Sequence, residues 1–377
     1  MRMKKVFLMC LLMASPMITS AVMSVSNVKA HRLHPLGGVA ISYEVIDGIN
    51  TDVEVVVTAK DNVSGKIYSV SRNCLSGDAG MTSGTHRIIW DMEAQGLALN
   101  LEKVTFTVAC YMPYMVIDLS AGSKATKYQY SYLSEVPAGG WSDEYKRTKL
   151  VLRLIIPGSF KMRGVYDVTL SKPYYMGIFE VTREQYVSVM GYDDRVNGKW
   201  DGPVHTAWSV IRGDSKTHNW PTVKTVANSS FVGRLRARTG LTFDLPTDAQ
   251  WEYACRAGTT TRYYWGDSWD DAYGWINDNS RHPVGEKIAN AWELYDMCGN
   301  AREWCLDYFM GSEKFDFVMS GSGWKIDWEG KYDGTHRIVR GGGQFGSDAS
   351  LCAMSSWQGV LPDDLNCGFR LVRIMSE

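Results

Sequence analysis

The chain lacks a charge imbalance, and beyond its first residues it lacks a long apolar run. Its 40 Lys and Arg residues offset 41 Asp and Glu residues, which leaves a formal net charge of -1. A nearly neutral chain has no electrostatic reason to bind nucleic acid or an anionic membrane. No segment after residue 21 approaches the ~20 apolar residues that a spanning helix needs. We therefore predict no nucleic-acid partner and no membrane span in the mature protein.

Histidine is also scarce, with seven residues in the whole chain. Those of the second half follow neither H-x-[DE] nor H-x-x-x-H spacing: His205, His218, His282 and His336. This pattern argues against an iron site built from two histidines and a carboxylate. The segments "GTTT" and "GSDAS" do not match a nucleophile elbow, so a Ser/His/Asp hydrolase is not supported either.

The N-terminus has the pattern of a secretory signal. Arg2, Lys4 and Lys5 precede the short apolar core "VFLMCLLMA", and small residues lead up to Ala21. This order predicts a signal peptide over residues 1–21. The alternative, a membrane anchor, is disfavoured because the apolar run is well short of ~20 residues. We expect an exported protein that is periplasmic, attached to the cell surface or secreted.

Export permits disulfide bonds, so the cysteines are candidate bridges. Removal of Cys10 with the signal peptide leaves Cys74, Cys110, Cys255, Cys298, Cys305, Cys352 and Cys367. This odd number requires at least one thiol that is free or paired with another chain. Cys74 and Cys110 lie in the first half and could pair with each other. The leftover thiol is expected among the other five.

The first half of the chain has the pattern of β-structure. Between residues 22 and 136, alternating or β-branched segments such as 38–46 and 103–112 are separated by Gly, Asn and Asp turns. Short strands spaced in this way predict a β-sandwich domain over 22–136, with Trp90 in its core. The polar stretch 137–149 is interpreted as a linker.

A second domain is predicted over residues 150–377, with a different pattern. The segment 180–191 has the features of a helix, because Thr182 can cap its first turn and Gln185 lies three residues later. A second helix is predicted over 229–240, where a glycine ends it. The rest is predicted to be mostly turns and short strands, with one more helical turn or two in "TDAQWEYACRAG" (247–258), so the fold class is α+β.

Several motifs of this second half occur together in a known family. In chain order they are Phe243–Asp267, Asn279–Phe309, Arg337–Gly343 and Cys367–Arg373. They resemble the sulfatase-modifying-factor family, that of the formylglycine-generating enzyme, over roughly Ile155 to Met375. The resemblance implies an irregular α+β fold related to C-type lectins. The preceding β-sandwich resembles the immunoglobulin-like modules of some exported members.

The resemblance also implies a specific chemistry. The family's best-known enzyme oxidises a sulfatase cysteine to formylglycine, and it holds Cu(I) between two cysteine thiolates. On this chain the second thiolate position falls on Cys352, but the first falls on Ser347. A serine hydroxyl is a hard donor that stays protonated, so it cannot replace a thiolate on Cu(I). We therefore expect copper to be absent from this protein.

Cys352 could instead have a structural role. Relatives without the copper pair suggest a Cys305–Cys352 disulfide, and the family suggests a second bridge between Cys255 and Cys367. That scheme leaves Cys298 as the free thiol. A buried free thiol at Cys352 stays open as an alternative.

A calcium loop is implied by the same resemblance. Its ligands would be the side chains of Asp296 and Glu303 and the carbonyl groups of Gly299 and Ala301. Calcium prefers several hard oxygens, and a glycine turn lets carbonyl groups converge on the ion. The alternative is that both carboxylates accept hydrogen bonds from loop amides. We predict a structural calcium ion.

The function that follows is a binding or scaffold role in the cell envelope. Five tryptophans could present aromatic faces to a glycan or an exported protein: Trp208, Trp220, Trp324, Trp328 and Trp357. Arg340 and Arg370 are expected to pair with core acids. The alternative is a formylglycine-generating-type oxidase that uses Cys352 on a sulfatase or another exported protein.

Overall fold

The structure is a computed structural model, and it describes most of the chain. It covers residues 22–33, 38–46, 54–63, 67–70, 74–78, 83–192, 201–214, 217–218, 220–276, 280–310, 319, 325–330, 334–343 and 349–375. The predicted signal peptide, Ser347 and Trp324 lie outside these ranges. Along these ranges, no helix combines the length and the hydropathy needed to cross a membrane.

The N-terminal region is an antiparallel β-structure, as predicted. Its strands are β1 (Val22–Arg32), β2 (Gly38–Ile46), β3 (Glu54–Asp61), β4 (Ile67–Ser69), β5 (Leu75–Asp78), β6 (Gly84–Asp91) and β7 (Val104–Tyr111). They form a seven-stranded sheet in the order β4-β3-β7-β1-β2-β6-β5. A 3-10 helix, Leu101–Lys103, precedes β7.

One apolar core holds this region together. Strand β1 pairs with β7 through Val22 and Met23 and with β2 along the rest of its length. Alternate residues of β6 point inward, which buries Ile88 and Trp90. They share a cluster with inward residues of β2, β3 and β7. Because every second side chain of these strands points inward, the strands build a core between two parts of the sheet. The predicted core position of Trp90 is confirmed.

The C-terminal region has five helices and twelve strands within the described ranges. The helices are α1 (Asp143–Arg147), α2 (Arg183–Met190), α3 (Trp208–Ile211), α4 (Phe231–Thr239) and α5 (Asp248–Arg256). The first strands are β8 (Tyr114–Asp118), β9 (Gln129–Leu133), β10 (Lys149–Ile155), β11 (Gly158–Met162), β12 (Tyr166–Leu170) and β13 (Tyr174–Gly177). The others are β14 (Phe243–Asp244), β15 (Glu303–Tyr308), β16 (Lys325–Ile326), β17 (Arg337–Arg340), β18 (Gln358–Val360) and β19 (Val372–Ile374).

These strands form three sheets. The largest has six strands in the order β14-β19-β13-β10-β8-β9, and two three-stranded sheets have the orders β11-β12-β16 and β15-β17-β18. Side chains of β10 alternate between two cores, so that Leu152 faces one and Val151 the other. Helices α2 and α4 pack in the first core and α5 packs in the second. The mixed α+β class is as predicted.

The sheet topology moves the predicted domain boundary. Strands β8 and β9 lie before residue 136, but β8 pairs with β10 of the second sheet. The chain changes sheets between Tyr111 and Tyr114, where Met112 is already buried in the first core of the C-terminal region. Helix α1 lies inside the stretch interpreted as a linker. Alternating patterns identify strands but not their partners, which explains the difference.

The two predicted helices are confirmed together with their caps. Thr182 accepts a hydrogen bond from the Gln185 amide, and the Gln185 side chain accepts one from the Thr182 amide. Gly240 ends α4 in the left-handed region at φ 73°. A reciprocal cap satisfies two amide groups that the first turn would otherwise leave unpaired.

Candidate functional site

The glycine-rich segment after β17 is anchored by a buried arginine. Arg340 donates from Nε to Asp248 at 2.5 Å and from a terminal nitrogen to Glu252 at 2.9 Å, both on α5. It also donates to the Met354 carbonyl at 2.8 Å. The guanidinium and both carboxylates are fully buried. The predicted pairing of Arg340 with core acids is confirmed, and it connects β17 to α5.

A second buried arginine lies where the C-terminal strand begins. Arg370 donates to both oxygens of Glu303 at 2.6 Å, and Trp251 donates to one of them at 2.7 Å. Neither charged side chain is exposed to solvent. Bidentate pairing of this kind is the strongest form that an arginine–carboxylate contact takes. The predicted role of Arg370 is confirmed, and its partner is Glu303.

This ion pair does not fit the predicted calcium loop. Both Glu303 oxygens are already occupied by Arg370 and Trp251, so a calcium ion would compete with a buried guanidinium for them. Asp296 accepts from the Gly285 amide at 2.6 Å, and its other oxygen is buried without a hydrogen-bond partner among the described residues. The described part of the chain holds no cluster of three His, Cys, Asp or Glu side chains suited to a metal.

The backbone groups at Gly299 and Ala301 bind protein atoms. Gly299 donates its amide to the Gly341 carbonyl at 2.7 Å, and Ala301 donates to Glu180 at 2.9 Å. These contacts use the amide groups and not the carbonyl oxygens named as calcium ligands, so the calcium ion stays a prediction. The alternative, in which Asp296 and Glu303 accept hydrogen bonds from loop amides, describes Asp296, whereas Glu303 accepts from the side chains of Arg370 and Trp251.

Glu180 is a site residue that sequence reasoning missed. Besides Ala301, it accepts a hydrogen bond from the Asn300 side chain at 2.8 Å. Burial raises the pKa of Glu180, and the negative charges of Asp296 and Glu303 raise it further. A single acid before a helix carries no sequence signal for this contact, because its partners lie more than a hundred residues away.

The predicted disulfides are not formed in the structure. None of the seven cysteines of the described ranges is in a disulfide bond: Cys74, Cys110, Cys255, Cys298, Cys305, Cys352 and Cys367. Cys255 and Cys367 belong to opposite cores. Cys74 precedes β5, and three strands separate β5 from the strand of Cys110 in the sheet order. Disulfides need closely spaced and correctly oriented side chains, which sequence separation does not reveal.

Cys352 lies against the glycine-rich segment and Cys298. A β-carbon at Gly342 would approach the Cys352 sulfur to 2.4 Å. Cys298 donates from its sulfur to the Cys352 carbonyl at 3.2 Å. Cys305 instead lies near the charges of Asp248 and Arg340. The structure has no bond between Cys305 and Cys352, and Cys352 is buried in the second core.

The tryptophans proposed for ligand binding divide into two groups. Trp208 and Trp220 are core residues with 0% and 4% exposure, which corrects their assignment to a binding face. Trp208 donates its indole hydrogen to the Cys305 carbonyl. Trp328 and Trp357 are half-buried, and the Arg163 guanidinium lies 3.3 Å from the ring centre of Trp357.

Asp307 is the second buried acid that sequence reasoning missed. One of its oxygens accepts from the Asp248 amide at 2.6 Å, and the other is buried without a hydrogen-bond partner in the described ranges. Burial, reinforced by the Asp248 charge, raises the pKa of Asp307 to about 7. The proton is therefore held more tightly in the folded protein than in the unfolded chain, where the pKa is about 4.

This difference predicts a pH-dependent stability. The tighter binding of the proton by Asp307 in the folded protein stabilises the fold. This stabilisation is fully present below pH ~4 and is lost as the pH rises through about 7. We expect Asp307→Asn to match the wild type at pH ~4 and to exceed it at pH ~8, by on the order of 4 kcal/mol in the free energy of unfolding. Urea titrations at both pH values measure the difference.

The matched control is Asp167→Asn, at a partly exposed carboxylate that pairs with Lys161. It should show no gain of stability at the higher pH. Equal behaviour of Asp307→Asn and the wild type at both pH values would contradict the prediction.

The fold and these anchors define an α+β domain built on buried arginine–acid pairs around a glycine-rich strand. The family model described as "Sulfatase-modifying factor enzyme 1-like domain" matches residues 141–375. Because this match covers more than half of the chain, the protein belongs to the sulfatase-modifying factor family.

Individual relatives cover different shares of the chain. It is 27% identical to "Chaperone protein LppX" of Paenibacillus barcinonensis over 235 residues, which is 48% of this chain and 84% of that protein. It is 38% identical to the "Formylglycine-generating enzyme" of Mycobacterium tuberculosis over 91 residues, or 19% of this chain and 29% of that enzyme. Among solved structures, "Treponema denticola variable protein 1" is 21% identical with a TM-score of 0.47, over 60% of this chain and 95% of that one.

Proposed function

We propose that this protein is an exported binding or scaffold member of the family without copper-oxidase activity. The observation that carries the proposal is Ser347, which stands at the first copper-thiolate position. Cu(I) prefers soft sulfur donors, and a protonated hydroxyl offers none. A single remaining thiol would bind the ion weakly.

The surroundings of Cys352 support the same proposal. Its exposed fraction is zero, and it packs beneath Gly342 in the second core. In the copper mechanism the substrate thiol becomes a further ligand of the metal, so the metal-bearing sulfur must face a channel open to a peptide. A sulfur that is enclosed by its own core does not meet that requirement.

The binding role has separate support. The relative named as a chaperone is matched over most of its length, whereas the mycobacterial formylglycine-generating enzyme is matched over 29% of its length. Of the tryptophans proposed for binding that lie in the described ranges, Trp328 and Trp357 are half-buried and could contact a partner. The partner would be an exported protein or a glycan. No calcium-dependent step is proposed.

A copper experiment tests the absence of oxidase activity. The wild-type protein, reduced and titrated with Cu(I) under anaerobic conditions, should bind no stoichiometric copper. After aeration it should consume no O2 and form no aldehyde on a sulfatase peptide that contains cysteine.

The matched variant is Ser347→Cys, which restores the second sulfur and should bind Cu(I) at least tenfold more tightly than the wild type. Adding Cys352→Ala to it should abolish this gain. Aldehyde formation by the wild type would overturn the proposal in favour of the oxidase.

Binding is tested separately, with immobilised unfolded exported proteins and with glycan arrays. Saturable binding to one of these classes is expected. Binding to neither would remove the binding role and would leave the copper result unaffected.

A further inference from the structure

Three buried thiols from distant segments meet in the second core. Cys255 lies near the end of α5, Cys298 lies in the loop before β15, and Cys352 ends the 3-10 helix Ala349–Cys352. All three are fully buried in the same apolar cluster. The sequence pattern does not predict that these thiols meet, because successive members of the group are more than forty positions apart in the chain.

Cys298 is the central member of this group. Besides burial, the nearby Cys255 thiol raises the pKa of the Cys298 thiol. Cys255 in turn donates to the carbonyl of Met297, the residue before Cys298, at 3.7 Å. Cys298 also donates from its sulfur to the backbone carbonyl of Cys352 at 3.2 Å. The Cys255 sulfur contacts the backbone beside Cys298, and Cys255 is therefore the candidate partner of Cys298.

From this geometry we propose that Cys255 and Cys298 are a dithiol site, which closes to a disulfide by exchange with a small-molecule disulfide while the chain folds. One thiolate attacks the oxidant, here glutathione disulfide, and releases one glutathione. The second thiolate then displaces the other glutathione and forms the Cys255–Cys298 bond. Two electrons pass from the two cysteines to the oxidant, and two thiol protons are released to the glutathione thiolates and the solvent.

Burial determines when this exchange occurs. It raises the pKa of Cys298 well above its ordinary value, and the Cys255 thiol contributes to the same shift. Because only the thiolate attacks, a thiol held protonated inside the core reacts slowly. The bond therefore forms before the core closes. Once formed, it is shielded from reductants by the same apolar surroundings.

Peptide mapping of the full chain tests the proposal. One sample is refolded from denaturant with glutathione disulfide, and a second is first folded in its reduced form and then given the same oxidant. Both are denatured, alkylated, digested and analysed by mass spectrometry without reduction. We expect a linked Cys255–Cys298 peptide in the refolded sample, formed at least tenfold faster than in the prefolded one.

Variants supply the controls. Cys298→Ala should abolish the linked peptide, whereas Cys367→Ala, which removes a buried thiol from the opposite core, should retain it. If Cys298→Ala does not fold, the peptide map of the wild type still tests the proposal, because that map is obtained from denatured protein.

Three outcomes would overturn the proposal: full alkylation of both thiols after refolding, a linkage of Cys298 to Cys352, or equal rates in the two samples. None of them depends on the copper or partner-binding results.

Discussion

Replacing Arg370 with methionine is expected to lower the free energy of unfolding by about 3–5 kcal/mol, which is a large part of the ~5–15 kcal/mol of an ordinary protein. The substitution leaves Glu303 ionised in a fully buried position, where the Trp251 indole is its remaining side-chain donor among the described residues. It also removes donors from the carbonyl groups of Gly177 and Tyr295. Urea unfolding followed by tryptophan fluorescence gives the change.

Arg147→Met is the matched control, because Arg147 pairs with Glu184 at the surface. It should leave the urea midpoint unchanged, since exposed ion pairs contribute little. The double variant Glu303→Gln with Arg370→Met should recover part of the loss, because no buried charge then remains unpaired. If the double variant were no more stable than Arg370→Met, the proposed cause would be incorrect.

Gly299→Ala is expected to lower the free energy of unfolding by about 3 kcal/mol or more. Gly299 has φ 96°, a conformation that side chains rarely adopt. A β-carbon there would lie 2.1 Å from the carbonyl oxygen of Trp275 and 2.6 Å from its nitrogen. Both are backbone atoms, so the clash cannot be relieved by a side-chain rotation.

Gly139→Ala separates the two causes. Gly139 has nearly the same φ, 94°, but no atom lies within 4 Å of its added β-carbon. It should lose only about 1 kcal/mol, from backbone strain alone. Thermal unfolding of the two variants measures the difference, and equal losses would mean that the clash at Trp275 is relieved at no cost.

The regular elements were largely predictable because they depend on local patterns. The strand at residues 38–46 follows the alternating segment quoted for it, and α2 begins and ends at its predicted caps. Strand pairing was not predictable in the same way. Strand β8 has an apolar pattern that suits either domain, and only its pairing with β10 assigns it to the second.

The candidate site was predictable in part. Arg340 and Arg370 were expected to pair with acids because an arginine in an apolar core needs a charged partner. Which acid each would bind did not follow, and the pairing of Arg370 with Glu303, which the sequence reasoning had assigned to calcium, is known only from the structure. Glu180 and Asp307 were missed for the same reason, since their contacts depend on distant residues.

The sequence by itself determined the family, the strand and helix segments, and the replacement of a sulfur ligand by Ser347, because each of these is a property of residue type and local spacing. Only the tertiary structure decided that Cys298 lies beside Cys255 and that Glu303 binds Arg370. Such contacts join segments that lie far apart in the chain. They arise from how the sheets and loops pack, and a linear pattern does not encode that packing locally.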